Sequence, residues 1–386
     1  MADTKTVVIL GGSLGGLHVA HALLKKHQQY PNLRVILVSK NTHFYWNIAS
    51  VRAIIPGQIP DQKMLRELSE ALQPYPSNMY ELVIGEAISS DFTAKTVKVQ
   101  LNNSDPESEP REIIYDHLVL ATGARYTNDT PWKANSDYQS LVNLLHDTAS
   151  KVGKASHIIV AGAGATGVEV AGELGYEYGK TKRITLLASG QHVLPGEQES
   201  FSSATENELK KLNITIQKGA RVREVARALD EKEERYTVQL ENGQNLECNL
   251  YLPTQGMVPN SDYINAKHLD SKTKTVLVDE FLHVTGVPGN TVWAVGDIVS
   301  KPRAGFMITQ KQASSVAKNV ELTLLQNKEP VPAKGPPVDI LACAVGRGRG
   351  VGRMGPIRLP SFGVWLAKGR TLGMQFVDQY ISGSIA

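Results

Sequence analysis

Cysteine is scarce in this 386-residue chain: Cys248 and Cys343 stand far apart and form no C-x-x-C arrangement. That excludes electron transfer through a paired redox thiol and removes a C-x-x-C zinc site. Both cysteines read as packing residues in a reducing compartment. Long apolar runs are missing too, and no stretch approaches the length of a membrane span. The opening Met1-Ala2-Asp3-Thr4-Lys5 runs at once into a strand-like segment, so a signal peptide is not expected, nor is N-myristoylation at Ala2. Ser384-Ile385-Ala386 is neither a prenylation box nor a peroxisomal address. These absences predict a cytoplasmic protein. The formal net charge of +3 points to no particular partner class and gives no reason to expect nucleic acid binding.

What is present is glycine, 33 residues of it, in a chain that is 41% hydrophobic and 20% charged, as in an α/β enzyme too long for a single core. Two glycine-rich turns carry the most information. Gly11-Gly12-Ser13-Leu14-Gly15-Gly16 follows the β-branched run Thr6-Val7-Val8-Ile9-Leu10 and precedes a predicted helix over 17–27. Gly162-Ala163-Gly164-Ala165-Thr166-Gly167 follows His157-Ile158-Ile159-Val160-Ala161 and opens a predicted helix over 166–178. A turn of this kind brings backbone N–H groups and a helix N-terminus up to a pyrophosphate, so the pair predicts two dinucleotide sites. The first turn departs from the G-x-G-x-x-G pattern at Ser13, whereas the second keeps it in full.

Each unit continues into a further strand, and neither of those strands ends in the acid that usually holds a ribose. Ser39 and Lys40 follow the run 35–38, and Ala188-Ser189-Gly190 follows 184–187. Ribose recognition at the first site must then be weaker or come from elsewhere. At the second, both NADH and NADPH stay open.

Between these units the sequence predicts a helical stretch over 64–72, strands over 80–84 and 96–100, and an exposed hairpin loop over 102–110. A buried strand ends in Ala121-Thr122-Gly123, small residues suited to a hard turn beside a cofactor. A helix over 138–152 leads into the second unit, and strands over 237–240 and 249–252 are followed by Thr254-Gln255-Gly256. The run Thr291-Val292-Trp293-Ala294-Val295 ends in Gly296-Asp297, and an amphipathic helix spans 309–325.

In this order the two glycine turns, Ala121-Thr122-Gly123, Thr254-Gln255-Gly256 and Gly296-Asp297 resemble the landmarks of the two-dinucleotide-binding-domain flavoproteins. The chain is most similar to the apoptosis-inducing-factor-like group, which includes the ferroptosis suppressor proteins, and next to type II NADH:quinone oxidoreductases. The resemblance implies an α/β fold of two Rossmann-like dinucleotide-binding domains plus a small C-terminal segment. FAD would be held by 1–127 and 276–335, NAD(P)H by 128–275, and 336–386 would form the C-terminal segment. It further implies FAD at Gly11, Gly12, Ser13, Gly15 and Gly16, with Asp297 accepting hydrogen bonds from the ribityl chain. The helix N-terminus near Thr309 would face the flavin. Asn47 and Arg52 fall where similar proteins run along the flavin, although Arg52 equally suits the surface. NAD(P)H would lie on Gly162, Gly164, Thr166, Gly167, Ser189 and Gly256.

Glu169 matches a glutamate that in similar enzymes lies near flavin and nicotinamide. Glu173 falls one turn later on the same helix face, where each could instead be a solvated carboxylate. Lys368-Gly369-Arg370-Thr371-Leu372 resembles the stretch that brings a lysine to the flavin. With no thiol pair, electrons must leave to a diffusing acceptor. A quinone-like molecule leads, a carrier protein follows, and a low-turnover NAD(P)H-binding signalling role is the third reading. Residues 340–377 hold no Asp or Glu, but do hold Arg347, Arg349, Arg353, Arg358, Lys368 and Arg370 beside large apolar residues. Such a segment suits either peripheral contact with an anionic membrane or packing on the FAD domain with its arginines facing solvent.

Overall fold

The computed structural model describes residues 4–103, 105, 108–229, 234–299, 305–335 and 338–386. Two sheets organise it. In the first, the spatial order is Val292–Ala294, His117–Leu120, Lys5–Leu10, Leu33–Ser39, Tyr80–Asp91, Thr96–Leu101 and Arg111–Ile114. The first five strands run parallel, and the last two return antiparallel. Val7 through Leu10 are buried on both faces, which explains why this strand reads as an unbroken apolar run rather than an alternation. The second sheet is parallel, in the order Ile214–Gln217, Arg183–Leu187, His157–Ala161 and Leu250–Pro253. A three-stranded antiparallel sheet, Val222–Leu229, Glu234–Leu240 and Asn245–Cys248, accompanies it.

The sheets communicate through a two-stranded antiparallel ribbon, Ala124–Tyr126 with Met257–Pro259, at the point where the chain leaves one and re-enters the other. The C-terminal part forms its own antiparallel sheet, Ile340–Val345, Arg349–Met354 and Ile357–Leu359, followed by short helical turns.

The first helix is Leu14–Leu24, three residues earlier than the apolar pattern predicts, because the glycine turn is itself the first helical turn: Leu17 N–H donates to Ser13 O at 2.9 Å. The second turn behaves alike, with Val168 N–H donating to Gly164 O at 3.0 Å and a helix over Ala165–Tyr178. The stretch predicted as helix over 64–72 divides into a strand, Leu65–Glu67, and a short helix, Leu68–Leu72. The strand pairs with His43–Tyr45, a non-local contact that local periodicity cannot show. The helix predicted over 309–325 begins at Phe306, runs to Val320 and passes into a wider turn over Glu321–Leu325. Within the expected hairpin loop over 102–110, Ser104, Pro106 and Glu107 lie outside the described residues, as do Met1, Ala2 and Asp3.

Candidate active site

The backbone at Gly11 has φ +113°, and a Cβ there would stand 2.3 Å from the carbonyl oxygen of Ala121 on the neighbouring strand. At Gly16 it would stand 1.8 Å from Gly11 O, so the helix seats against its own turn only because both positions lack side chains. Ser13 precedes the helix without capping it, which leaves first-turn N–H groups free of a side-chain partner and facing the cleft.

That cleft is a continuous cavity of about 1320 Å³. It exceeds the several hundred cubic ångströms of an ordinary small-ligand pocket and suits an elongated dinucleotide. Gly11, Gly12, Ser13 and Gly15 line it, with Ser39 and Lys40 at one end, and Ala121, Thr122, Gly123, Gly296 and Asp297 along it. Asn47, Thr166, Glu169, Thr309 and Lys368 line it as well. Residues separated by hundreds of positions therefore share one wall.

At the Ser39 end, the serine hydroxyl donates to Asn41 O at 2.7 Å, and Lys40 forms an ion pair with Glu86 at 2.8 Å. A carboxylate does reach the cavity here, from the next strand rather than from the end of the second. Asp297 is paired with Lys133, and both line the cavity. Lys133 sits in a linker pinned on both sides: Tyr45 OH donates to Pro131 O at 2.6 Å, and Trp132 Nε1 donates to Pro253 O at 2.8 Å. Asn47 Nδ2 donates to Trp132 O at 2.9 Å, so its amide holds the same linker. No sequence motif marks Lys133. The apolar residue Trp132 beside it was the available signal.

Glu169, on the helix that follows the second glycine turn, is buried and meets Lys368 Nζ at 2.5 Å. Its Oε1 also accepts from Ala344 N–H at 2.9 Å, and Lys368 donates to Ala342 O at 3.1 Å. Burial pulls the Lys368 ammonium toward a lower pKa, but the Glu169 carboxylate outweighs it, and the net shift is upward. Lys368 is thus held protonated at the cavity wall.

Glu173 and Arg52 do not line the cavity. Arg52 grips Glu173 through Nε at 3.0 Å and Nη2 at 2.7 Å, with the two side chains 7% and 0% exposed. Arg52 is therefore neither along the cleft nor on the surface, and Glu173 is no solvated carboxylate. The glycines of the second turn do not line this cavity. A Cβ at Gly164 would meet nothing within 4 Å, and Ser189 is exposed beyond it. Gly162 and Gly167 pack against the Thr254 hydroxyl, which donates to Gly162 O at 2.9 Å. Gly256, at φ +82°, accepts from Thr127 N–H at the inter-sheet ribbon. Thr166 alone among the second-turn residues singled out reaches the cavity, next to the Tyr126 hydroxyl at 3.4 Å.

Most cations of the C-terminal run are already partnered. Arg347 meets Glu177 at 2.8 Å and Glu173 at 3.4 Å; Arg349 meets Glu208 at 3.4 Å; Arg353 joins Glu197 and Asp339. Glu173, Glu177, Glu197 and Glu208 all belong to the second glycine unit, so these arginines neither stand free in solvent nor pack on the FAD domain as expected: their carboxylates lie on the other unit. Arg358 and Arg370 have no ion pair among the described residues.

With that geometry established, comparison with known proteins places the chain. The description of the pyridine nucleotide-disulphide oxidoreductase family matches residues 5–319. The chain belongs to this family. It is 34% identical to the oxidoreductase ptaL of Pestalotiopsis fici across 99% of this chain and 100% of that one. It is 27% identical to human ferroptosis suppressor protein 1 across 95% of this chain and 93% of that one. Among solved structures, the sulfide:quinone oxidoreductase of Aquifex aeolicus superposes with a TM-score of 0.74 at 17% identity, covering 99% of this chain and 93% of that one, a likeness of fold. Family membership makes the chain an NAD(P)H-dependent flavoprotein oxidoreductase.

The thiol pair in the family's description has no counterpart here. Cys248 and Cys343 lie on different sheets, both buried and free. Burial pushes the Cys248 thiol up to about 12 and raises Cys343 as well. No helix among the described residues is long and apolar enough to cross a membrane.

Proposed function

We propose that the chain is an FAD-dependent NAD(P)H oxidoreductase whose acceptor is a quinone-like small molecule. One observation carries this reading: a single cavity joins the first glycine turn to the Glu169–Lys368 pair, and its far wall is built from apolar C-terminal residues such as Leu341, Leu359, Leu372 and Phe376. FAD, when bound, supplies a group that takes a hydride equivalent from NAD(P)H and gives electrons up again. Residues 1–127 and 276–335 hold it in this reading, and 128–275 hold NAD(P)H.

The uncapped helix start at Ser13–Gly15 receives the pyrophosphate, and Asp297 accepts from the ribityl hydroxyls. The start of the helix Phe306–Val320, with Thr309 in its first turn, favours negative charge at the pyrimidine edge. Gly162, Gly164 and Gly167 admit the second pyrophosphate, and Ser189 meets its ribose without an acid to repel a 2′-phosphate, so NADH and NADPH both stay open. Reduction of a quinone takes up protons, and Lys368 Nζ, kept charged by Glu169, holds one at the cavity wall.

Anaerobic rapid mixing tests the reading. NADH or NADPH bleaches the flavin absorbance, and a soluble benzoquinone restores it faster than an iron–sulfur protein does. Protein that cannot be loaded with FAD sinks the proposal. Reoxidation by the iron–sulfur protein in preference replaces the acceptor class. Arg358, without an ion pair among the described residues, together with Ile357 and Phe362 at 63% and 68% exposure, supports peripheral contact with an anionic membrane. Co-sedimentation with phosphatidylserine vesicles that is lost at high salt is the expected result.

A further inference from the structure

We infer that Arg52 is a positioning residue for Lys368, acting across three parts of the chain; this rests on the proposed role of the Glu169–Lys368 pair. Arg52 comes from the short helix Ser50–Ala53 that follows the second strand of the first sheet. Its guanidinium is divided between two tasks. Nε and Nη2 take the Glu173 carboxylate, while Nη2 also donates to Gly369 O at 2.7 Å and Nη1 to Arg370 O at 3.1 Å. Those two carbonyls directly follow Lys368.

Glu169 and Glu173 stand one turn apart on the same helix, so they face the same C-terminal stretch. The upper carboxylate meets the lysine itself, and the lower one holds the arginine that grips the backbone behind it. A lysine side chain has four rotatable bonds, and an ion pair does not fix its direction. Anchoring the next two carbonyls fixes where the Lys368 side chain starts, and a planar fork with several donors can reach a carboxylate and two carbonyls at once. Stability gives little reason for this arrangement, because a buried ion pair is commonly replaceable by apolar side chains of similar volume.

The test separates positioning from stability with the double variant Arg52→Met/Glu173→Met in the full chain loaded with FAD. Arg347 keeps Glu177 as its partner there. Arg52→Met alone would leave the Glu173 charge buried and confound the result.

The double variant is expected to keep its melting temperature within a few degrees of the parent, to retain FAD, and to be reduced by NAD(P)H at the parent rate. Its reoxidation by a soluble benzoquinone is expected to slow about tenfold or more. The alkaline limb of reoxidation should move to lower pH. The groups facing the Lys368 ammonium are Glu169 from the helix and Cys343 and Ala342 O from the strand, and none of them is altered. A readout independent of turnover uses the FAD-free protein: acylation of Lys368, followed by peptide mass spectrometry, should be several-fold faster in the double variant.

Lys368→Gln is the control. If it slows reoxidation while the double variant behaves as the parent in kinetics and labelling, the positioning role is overturned and the role of the pair stands. If Lys368→Gln has no effect, the role of the pair fails and takes the positioning role with it. Should the double variant not fold, Arg52→Lys decides. It keeps charge opposite Glu173 but cannot span the two carbonyls, so unchanged acylation of Lys368 overturns the inference, whereas faster acylation supports it.

Discussion

At Asp297 the decisive partner is one that no motif announces. If the cleft takes a pyrophosphate as proposed, a carboxylate there would repel it, and Lys133 offsets that charge from the pinned linker. Lys133→Ala should leave the melting temperature nearly unchanged, since the lysine is partly exposed, while weakening FAD binding about tenfold or more, the scale of a hydrogen bond to a charged group. Flavin fluorescence during titration of the apoprotein reads this directly.

The buried histidines lead to a second expectation. Burial lowers both His18 and His21 from 6.5 to about 4, with Lys25 adding to the effect and a hydrogen bond to the Tyr380 backbone partly opposing it at His21, while His18 Nδ1 has no hydrogen-bond partner among the described residues. A histidine whose pKa is lower in the folded state leaves the unfolded chain binding more protons below pH 6.5. Stability is therefore full above that value and falls as pH drops toward 4. The loss approaches roughly 3 kcal/mol for each residue. Urea midpoints at pH 7 and pH 5 should differ accordingly, and His18→Gln should flatten the difference.

The helix Ala165–Tyr178 is the element around which the site is built. Its start belongs to the second glycine turn, its Glu169 faces the cavity, and its Gly172 lets the C-terminal strand Ile340–Val345 lie directly on it. A Cβ at Gly172 would stand 2.8 Å from Gly346 N and 3.0 Å from Val345 Cα, backbone atoms that cannot step aside. Gly172→Val should push the strand away, lower the melting temperature and break the Glu169–Lys368 pair, while the glycine turn still binds NAD(P)H. Limited proteolysis should then cut within 340–377 first.

The start of this helix is legible in the sequence because a glycine turn is a local signal, written in six adjacent residues. The same holds for the strands that precede both turns. The partners of its far side are not legible. Arg347 and Glu173 lie 174 positions apart, and Arg353 and Glu197 lie 156 apart. A run of cations free of acids leaves membrane contact and packing equally open until its carboxylates are found on another unit. Arg52 was legible as important through its position, but its occupation by Glu173 depends on the packing of three segments that no local pattern joins.

For the whole molecule, the two glycine turns, each a nucleotide site in the proposed reading, respond differently to the same kind of substitution. Gly11 is hemmed in by the protein itself, so any side chain there disturbs the fold as well as the ligand. Gly164 faces open space in an ordinary backbone conformation, so a side chain there collides only with what binds. Gly164→Val should keep the melting temperature and the bound FAD, and abolish flavin bleaching by NAD(P)H. Equilibrium binding of NAD(P)H to the oxidised protein, followed by quenching of tryptophan fluorescence, separates lost binding from slow transfer.

The seclusion of the two cysteines has a further consequence. Electrons that escape to oxygen leave as peroxide, and a catalyst that handles them is the first protein the peroxide meets. The thiolate is the form that peroxide attacks, and burial keeps the Cys248 and Cys343 thiols in their inert, protonated state. Mass spectra recorded after prolonged aerobic turnover should show neither cysteine carrying added oxygen. Both thiols would then survive the by-product of turnover without a repair partner.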